Sequence, residues 1–327
     1  MAAYNGSAYI AQQLDSFVAQ TRQPEELVIV DDASSDGTVG IVEYFAEKAP
    51  FHVEVIPLAK NTGYAQAFGA ALSRCTGDLV FLSDQDDVWF PQKIETVVRY
   101  LESDTGIACF INDAMLTDSE LVPSAITKAD QIRSAGLPEA LFVMGCCVAV
   151  KRPLLDIALP IPEGARSHDD WIVGLSDCLG LTKRAPDVLQ YYRRHGSNAS
   201  NVYVNTIHRI GRIQRTREYF RRLIKRITTT NSLERELSYY DLLQQRLEAQ
   251  SENCISLIGS NRFSGCKERT VVRFVALSRR YAIRTMKLKD RLKPVATLWL
   301  QGGYKISGGM TGAIKDLLSA QHRTKLE

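Results

Sequence analysis

Three acidic clusters and one basic one carry the side chains in this sequence with chemical potential. The sharpest is Asp84-Gln85-Asp86-Asp87, which follows directly on the apolar run Leu79 to Leu82. Three carboxylates so close together repel one another unless a cation offsets them. Hard oxygen donors that can also share a diphosphate's oxygens suit Mg²⁺ or Mn²⁺. A plainer role is open too, with Asp87 capping a helix that begins near Val88. The second cluster, Asp31-Asp32-Ala33-Ser34-Ser35-Asp36-Gly37-Thr38, follows the apolar stretch Leu27 to Val30. Carboxylates there can accept hydrogen bonds from a base imide or a ribose hydroxyl, while Ser35, Asp36 or Thr38 caps the next helix. The third, Ser167-His168-Asp169-Asp170, precedes Trp171-Ile172. One of its carboxylates is a candidate to take a proton from a hydroxyl nucleophile, and either Asp169 or Asp170 is equally a candidate N-cap. The basic cluster, Tyr191-Tyr192-Arg193-Arg194-His195-Gly196, joins guanidinium groups that can neutralise a phosphate to an imidazole that can ligate a metal.

Something must hold these clusters together, and the apolar periodicity says what. Ile10, Leu14, Phe17 and Val18 recur at helical spacing, and Leu27 to Val30 reads as a short buried strand. Helical and strand patterns then alternate: helix over 38–48, strand over 51–57, helix over 64–73, strand over 79–82, helix over 92–101, strand over 107–111. Such alternation predicts an α/β fold with an open, mostly parallel sheet flanked by helices. Ligands of these sheets sit beyond the carboxyl ends of the strands, so the loops after Val30 and Leu82 belong to one site. The sequence before Tyr4 leaves room for only the last residues of a first strand, so that strand reads as largely missing: either the start was chosen too far downstream, the favoured reading, or the sheet lacks part of a central strand. Residues 113–140 read as polar and irregular with weak helical signals, Phe142 to Val150 as a strand, and the stretch near Leu181 as a weak strand.

Composition narrows the class. Seven scattered Cys show no CxxC pair and no zinc spacing, which fits a reducing cytosol. No secretory leader is evident, and the longest clearly apolar stretch, 140–150, is too short to span a bilayer. The net charge of +3 conceals an asymmetry: residues 1–200 carry 15 Lys/Arg against 27 Asp/Glu, and residues 201–327 carry 25 against 10. The division falls between an acidic domain over 1–200 and a basic, mainly helical region over 201–327.

Taken in order, Ala3-Tyr4-Asn5-Gly6, Val30-Asp31-Asp32 with Ser34 to Thr38, Asn61-Thr62-Gly63, Asp84-Gln85-Asp86-Asp87, His168-Asp169 and Arg193-Arg194-His195-Gly196 form a recognisable set. The sequence resembles family 2 glycosyltransferases of the GT-A fold, particularly rhamnosyltransferase-like members of bacterial surface-polysaccharide pathways, over about residues 1–200. The resemblance implies an inverting transfer from a nucleotide-diphospho-sugar donor with a divalent cation. By position it assigns Tyr4, Asn5 and Asp31 or Asp32 to the nucleotide, Asp84 and Arg194 to the donor, and Asp86 and His195 to the metal. It makes Asp169 the general base. The sequence departs from the family in carrying Ala67-Phe68-Gly69 where many members have Ala-Arg-Asn.

The basic stretch from Ile207 to Ile227 reads as an amphipathic helix that either packs on the catalytic domain or lies on an anionic membrane. The latter suits a glycan acceptor linked to lipid, with the protein cytoplasmic or at the membrane's inner face. Two rivals differ in class. A nucleotidyltransferase would carry a Gly-rich basic loop near its first strand, which is not evident here. A non-catalytic binder of nucleotide sugars or polyanions would use the basic region. No nucleic-acid-reading motif supports a nucleic-acid partner.

Overall fold

The structure, a computed structural model of the chain, describes residues 1–138, 142–196 and 231–319. The chain forms two compact units, residues 1–211 and 212–327. The sequence-based boundary after residue 200 and the basic stretch from Ile207 to Ile227 lie outside the described residues.

In the first unit, β1 (Ala2–Ala3), β2 (Glu26–Asp31) and β3 (His52–Pro57) form a parallel sheet in that order. Ala3 pairs with Asp31, which also pairs with Pro57, so the strands end together on one edge. Side chains alternate across the sheet and find helices on both faces. Ile29 packs in a cluster with Ile10, Leu14 and Phe17 of α1 (Ile10–Val18) and Val42 of α2 (Thr38–Ala46). Val28 and Val30 face the other way, onto Ala67 and Ala71 of α3 (Tyr64–Arg74). Each such large side chain contributes roughly 1.5–3 kcal/mol when fully buried.

A second sheet has the order β4 (Leu79–Phe81), β8 (Val148–Lys151), β6 (Cys109–Thr117), β9 (Thr182–Arg193), β5 (Val88–Trp89), with β7 (Pro123–Thr127) paired to β6. Only β6 and β9 run parallel in it; the other pairs are antiparallel. The helices α4 (Lys93–Ser103), α5 (Lys128–Ser134), α6 (Arg152–Ala158) and α7 (His168–Leu179) connect these strands. Alternating α/β order is therefore present, and the antiparallel pairs add a mixed sheet to the parallel one.

Several local expectations change. Residues 113–134 are more regular than expected: β6 runs on to Thr117, β7 follows, and the weak helical signal is α5, which opens with a Thr127–Asp130 capping box. The weak strand near Leu181 is the twelve-residue β9, which runs on to carry Tyr191 to Arg193 in the sheet. Val88-Trp89 is a strand, so Asp87 caps no helix. Ser167, not Asp169 or Asp170, is the N-cap of α7, its hydroxyl accepting from the Asp170 amide at 3.2 Å.

The second unit is helical among its described residues: α8 (Asn231–Ala249), α9 (Ser251–Ile258), α10 (Ser260–Thr285), α11 (Leu292–Leu300), α12 (Gly303–Ile306) and α13 (Gly309–Leu318). Gly259, at φ 80°, breaks α9 from α10 in a conformation that favours glycine. Ile283, Val295, Leu298, Tyr304 and Ala313 form its core. Some of its basic residues serve that core. Arg280 and Arg284 both pair with buried Asp316, at 2.8 and 2.6 Å, and Arg291 donates to the carbonyls of Arg284, Asp316 and Ser319. No described helix is long and apolar enough to cross a membrane.

Candidate active site

The site lies where strand ends meet in the first unit, and two polar devices assemble it. Gln85 is the first. Its amide nitrogen donates to the Tyr4 carbonyl and its amide oxygen accepts from the Tyr4 N–H, both at 2.9 Å. Gly6 makes this possible, because a Cβ there would stand 2.2 Å from the Gln85 oxygen. Asp87 is the second. It is fully buried, and its carboxylate accepts from the Arg193 N–H at 3.2 Å and from the Gln190 amide at 2.9 Å. These bonds fasten the acidic loop to the end of β9. Arg193 adds a bond from Nε to the Asp86 carbonyl at 2.8 Å, while its guanidinium lies 4.7 Å from the Tyr9 ring centroid.

The consequence is that His195, two residues beyond Arg193, reaches Asp86. The imidazole Nε2 is 2.8 Å from Asp86 Oδ2, and both side chains are nearly buried. The Tyr9 ring packs on His195 with centroids 4.5 Å apart. Asp84 is pushed up to about 7, first by burial and then by the negative charges of Asp86 and Asp169. That ordering places Asp84, Asp86 and Asp169 in one electrostatic neighbourhood, although Asp169 comes from α7. Trp171 anchors this helix by donating to the Ala158 carbonyl at 2.9 Å.

A divalent cation fits these donors. The Asp86 carboxylate and the His195 imidazole lie 2.8 Å apart, and Asp84, raised to about 7 first by burial and then by the Asp86 and Asp169 charges, belongs to the same loop as Asp86. The residues able to hold the ion are Asp86 and His195, with Asp84 beside them. A second convergence, of Asp84, Asp87 and the Cys146 sulfur within 4.8 Å, is a poorer seat. Both Asp87 oxygens already accept hydrogen bonds, and the Cys146 thiol is held well above its ordinary value, chiefly by a hydrogen bond with Cys147 and by burial.

Hydrogen bonding separates Asp31 from Asp32. Asp32 is saturated: Oδ1 accepts from the Thr62 amide at 2.6 Å and its hydroxyl at 2.9 Å, and Oδ2 from the Gly63 amide at 2.9 Å. Its visible task is to hold the Asn61-Thr62-Gly63 loop. Asp31 is equally buried, but only Oδ2 is engaged, by the Ser34 amide at 2.9 Å; Oδ1 has no partner. A buried acceptor left open at a strand end suits a ligand. Asn5, at φ 46°, also knits loops together: Oδ1 accepts from the Ser35 amide and its N–H donates to the Ser34 hydroxyl, both at 2.9 Å. Tyr4, by contrast, leaves its ring exposed at the edge of the site.

Asp169 and Asp170 also differ. Asp170 pairs with Arg166 at 2.8 Å, whereas Asp169 Oδ1 accepts only the Asp170 amide, at 2.9 Å, among the bonds observed. His168, buried beside them, stacks on Phe68 with centroids 3.8 Å apart, and both ring nitrogens lack a partner. Burial pushes this imidazole down to about 4, so it is neutral. Phe68 thus fills, with a ring, the position where the sequence departs from the family pattern. Arg194 donates to the Tyr192 hydroxyl at 3.3 Å and adjoins Lys128. Burial and then the Arg194 charge bring Lys128 down to about 8.

Sequence reasoning missed Tyr9, Gln12, Lys93 and Gln190. Tyr9 and Gln12 stand three apart at the start of α1, a spacing that puts both on one face, and Gln12 Oε1 accepts from Arg193. Lys93 is buried; it donates to Gln190 and to the Cys146 carbonyl and lies 4.0 Å from the Trp89 ring centroid. A lysine in the first turn of a helix gives no sign of such burial.

Comparison with known proteins agrees with this geometry. Residues 1–157 match the family described as Glycosyl transferase family 2. Residues 1–157 belong to that family. It is 30% identical over 206 residues to the glycosyltransferase alr2836 of Nostoc sp., covering 60% of this chain and 63% of that protein. It is 30% identical over 150 residues to the putative teichuronic acid biosynthesis glycosyltransferase TuaG of Bacillus subtilis, covering 44% and 56%. It is 32% identical over 105 residues to the dTDP-rhamnosyl transferase RfbG of Shigella flexneri, covering 31% and 36%. The chain thus spans less than two thirds of the length of each of these relatives. Among solved structures, S. aureus TarS 1-349 in complex with UDP-GlcNAc superposes with a TM-score of 0.51 at 15% identity, covering 96% of this chain and 88% of that one. At that identity the likeness speaks for the fold, which is the GT-A fold.

Proposed function

We propose that this family 2 member is an inverting glycosyltransferase, moving a sugar from a nucleotide-diphosphate donor to a glycan hydroxyl during assembly of a bacterial surface polysaccharide. One observation carries the reading: Asp86 meets His195 at 2.8 Å, and Asp84 of the same loop feels the charge of Asp169 from the start of α7. The names of TuaG and RfbG support the polysaccharide context, and RfbG supports a deoxythymidine-diphosphate-rhamnose donor.

The residues divide the work. Tyr4 and Asp31 bind the base and ribose, Asp31 through its open oxygen, while Asn5 and Asp32 shape the loops around them. Asp86 and His195 would hold Mg²⁺ or Mn²⁺, with Asp84 alongside. Such an ion supplies charge neutralisation for a departing diphosphate. Arg194 would lend a fixed positive charge to the donor's phosphates. Asp169 takes the acceptor's proton as its oxygen attacks the anomeric carbon opposite the leaving group. The peptide N–H of Asp170 fixes one Asp169 oxygen and leaves the other for that proton. The acceptor is a glycan, in the simplest case lipid-linked, met in the cytoplasm at the membrane's inner face.

Incubation with a panel of nucleotide sugars and acceptor glycans, with and without chelator, tests the proposal. Chelator-sensitive release of nucleoside diphosphate, with a new linkage of inverted anomeric configuration, is the expected result. Release of pyrophosphate from a nucleoside triphosphate and sugar phosphate instead would make the protein a nucleotidyltransferase.

A further inference from the structure

The end of the second unit shows an apolar surface that its own core does not use. On α11, Val295 and Leu298 face inward, whereas Leu292 is 69% exposed, Trp299 48% and Leu300 86%. On α13, Ala313 faces inward, whereas Met310 is 67% exposed, Ile314 40% and Leu318 60%. At about 100° per residue, the exposed residues of each helix gather on one flank beside the buried face. The apolar arc of each helix is therefore much wider than its core contact. Exposed apolar residues gathered in this way mark an interaction site.

The charges around these flanks say what the partner is. Lys287, Lys289, Lys293 and Lys305 are exposed. Asp290 is the only exposed acid between residues 286 and 318, because Asp316 is buried by Arg280 and Arg284. Lys293 follows Leu292 one step around the helix, so it borders the apolar flank of α11. Long cationic side chains at the rim of an exposed Leu, Trp and Met surface match a membrane interface, with lysines reaching headgroups and apolar groups entering the acyl boundary. None of the described helices is long and apolar enough to cross a bilayer.

We infer that α11 and α13, with the lysines flanking them, form an interfacial docking surface for an anionic lipid bilayer. This surface is distinct from the basic stretch at 207–227 and does not depend on the reaction catalysed.

Flotation of the full chain with vesicles tests it. The protein should rise with phosphatidylcholine–phosphatidylglycerol vesicles and partition roughly tenfold or more weakly to phosphatidylcholine alone. The charge-neutral triple variant Leu292→Gln, Leu300→Gln, Met310→Gln should lose roughly tenfold or more of the anionic-vesicle partition while keeping its helical circular dichroism. Trp89 and Trp171 are buried, so Trp299 is the tryptophan whose emission should shift blue and resist acrylamide on binding. Equal flotation of the triple variant overturns the proposal, as does unchanged Trp299 quenching. A dimer that forms without vesicles and is abolished by the triple variant would assign the surface to a second copy instead, and overturns it too.

Discussion

Asp86 Oδ2 stands 2.8 Å from His195 Nε2 although 109 positions separate the two residues. The contact exists because Asp87 holds the end of β9 and thereby delivers the imidazole. Asp86→Asn and His195→Ala should each lower turnover roughly a hundredfold or more and raise the cation concentration needed for half-maximal rate. Cooperative unfolding should survive in both. Titration of Mn²⁺ and Mg²⁺ against initial rate checks this; unaltered cation dependence in both variants would remove them from the metal set.

Adjacent aspartates should behave differently at the start of α7. Asp169→Asn keeps an oxygen for the Asp170 amide but loses the base, so kcat should fall by about 10²–10⁴ with donor KM little changed. Asp170→Asn gives up an ion pair with Arg166, whose side chain is 78% exposed. Such pairs contribute at most about 1 kcal/mol, so turnover and melting temperature should stay near normal. Steady-state kinetics on the two variants separates base from helix-end charge.

Asp31 and Asp32 form the same kind of contrast. Asp32→Ala strips three donors of their acceptor and should cost roughly 3 kcal/mol or more of stability, read by urea unfolding. Asp31→Asn keeps the Ser34 amide bonded through its remaining oxygen and should unfold almost as wild type. Its loss should appear in donor affinity, by calorimetry. Reversal of the two phenotypes would exchange their roles.

Gly6→Ala should act at a distance. The new methyl must displace the Gln85 amide, freeing the Tyr4 backbone and loosening the acidic loop. Donor KM should rise severalfold, and Gln85→Ala alone should produce a similar rise. If the double variant is no worse than either single one, the two residues act through the same contact.

Stability should depend on pH through two opposing groups. His168 titrates at about 4 in the fold against an ordinary 6.5, so the unfolded chain binds its proton first. Its contribution is full above 6.5 and is lost as pH falls from 6.5 towards 4. Asp84 titrates at about 7 against 3.8, so the folded protein holds that proton more tightly, and stability falls as pH rises through 3.8 to 7. The slopes offset in the wild type between 4 and 6.5. Asp84→Asn should uncover a rise with pH and His168→Phe a fall, measured by urea midpoints; identical profiles in all three proteins would contradict both assignments.

Local sequence made much of the fold legible, within limits that have physical causes. Val28-Ile29-Val30 and Ile10-Leu14-Phe17 announced a buried parallel strand and its helix because both faces of that sheet are covered. β9 was nearly invisible: Thr182, Lys183, Arg184 and Asp187 interrupt any apolar run, and the strand is held by pairing with β6 rather than by its own composition. The acidic residues announced a site, but not which carboxylates were already taken. Asp32 and Asp87 look as available as Asp31 and Asp86 until Thr62, Gly63, Gln190 and Arg193 are placed beside them. Those partners come from 30 to 106 positions away, beyond the reach of spacing arguments.

The clasp between Gln85 and Tyr4 has a mechanical meaning. In the run Asp84-Gln85-Asp86, the middle side chain points back to the amino-terminal turn, so the residue between the two acids is a strut and not a spacer. A ligand that nudges the acids pulls the Tyr4 turn with it, and one that settles against Tyr4 pulls the acids in return. The two ends of a bound donor would be felt by the protein as a single tug.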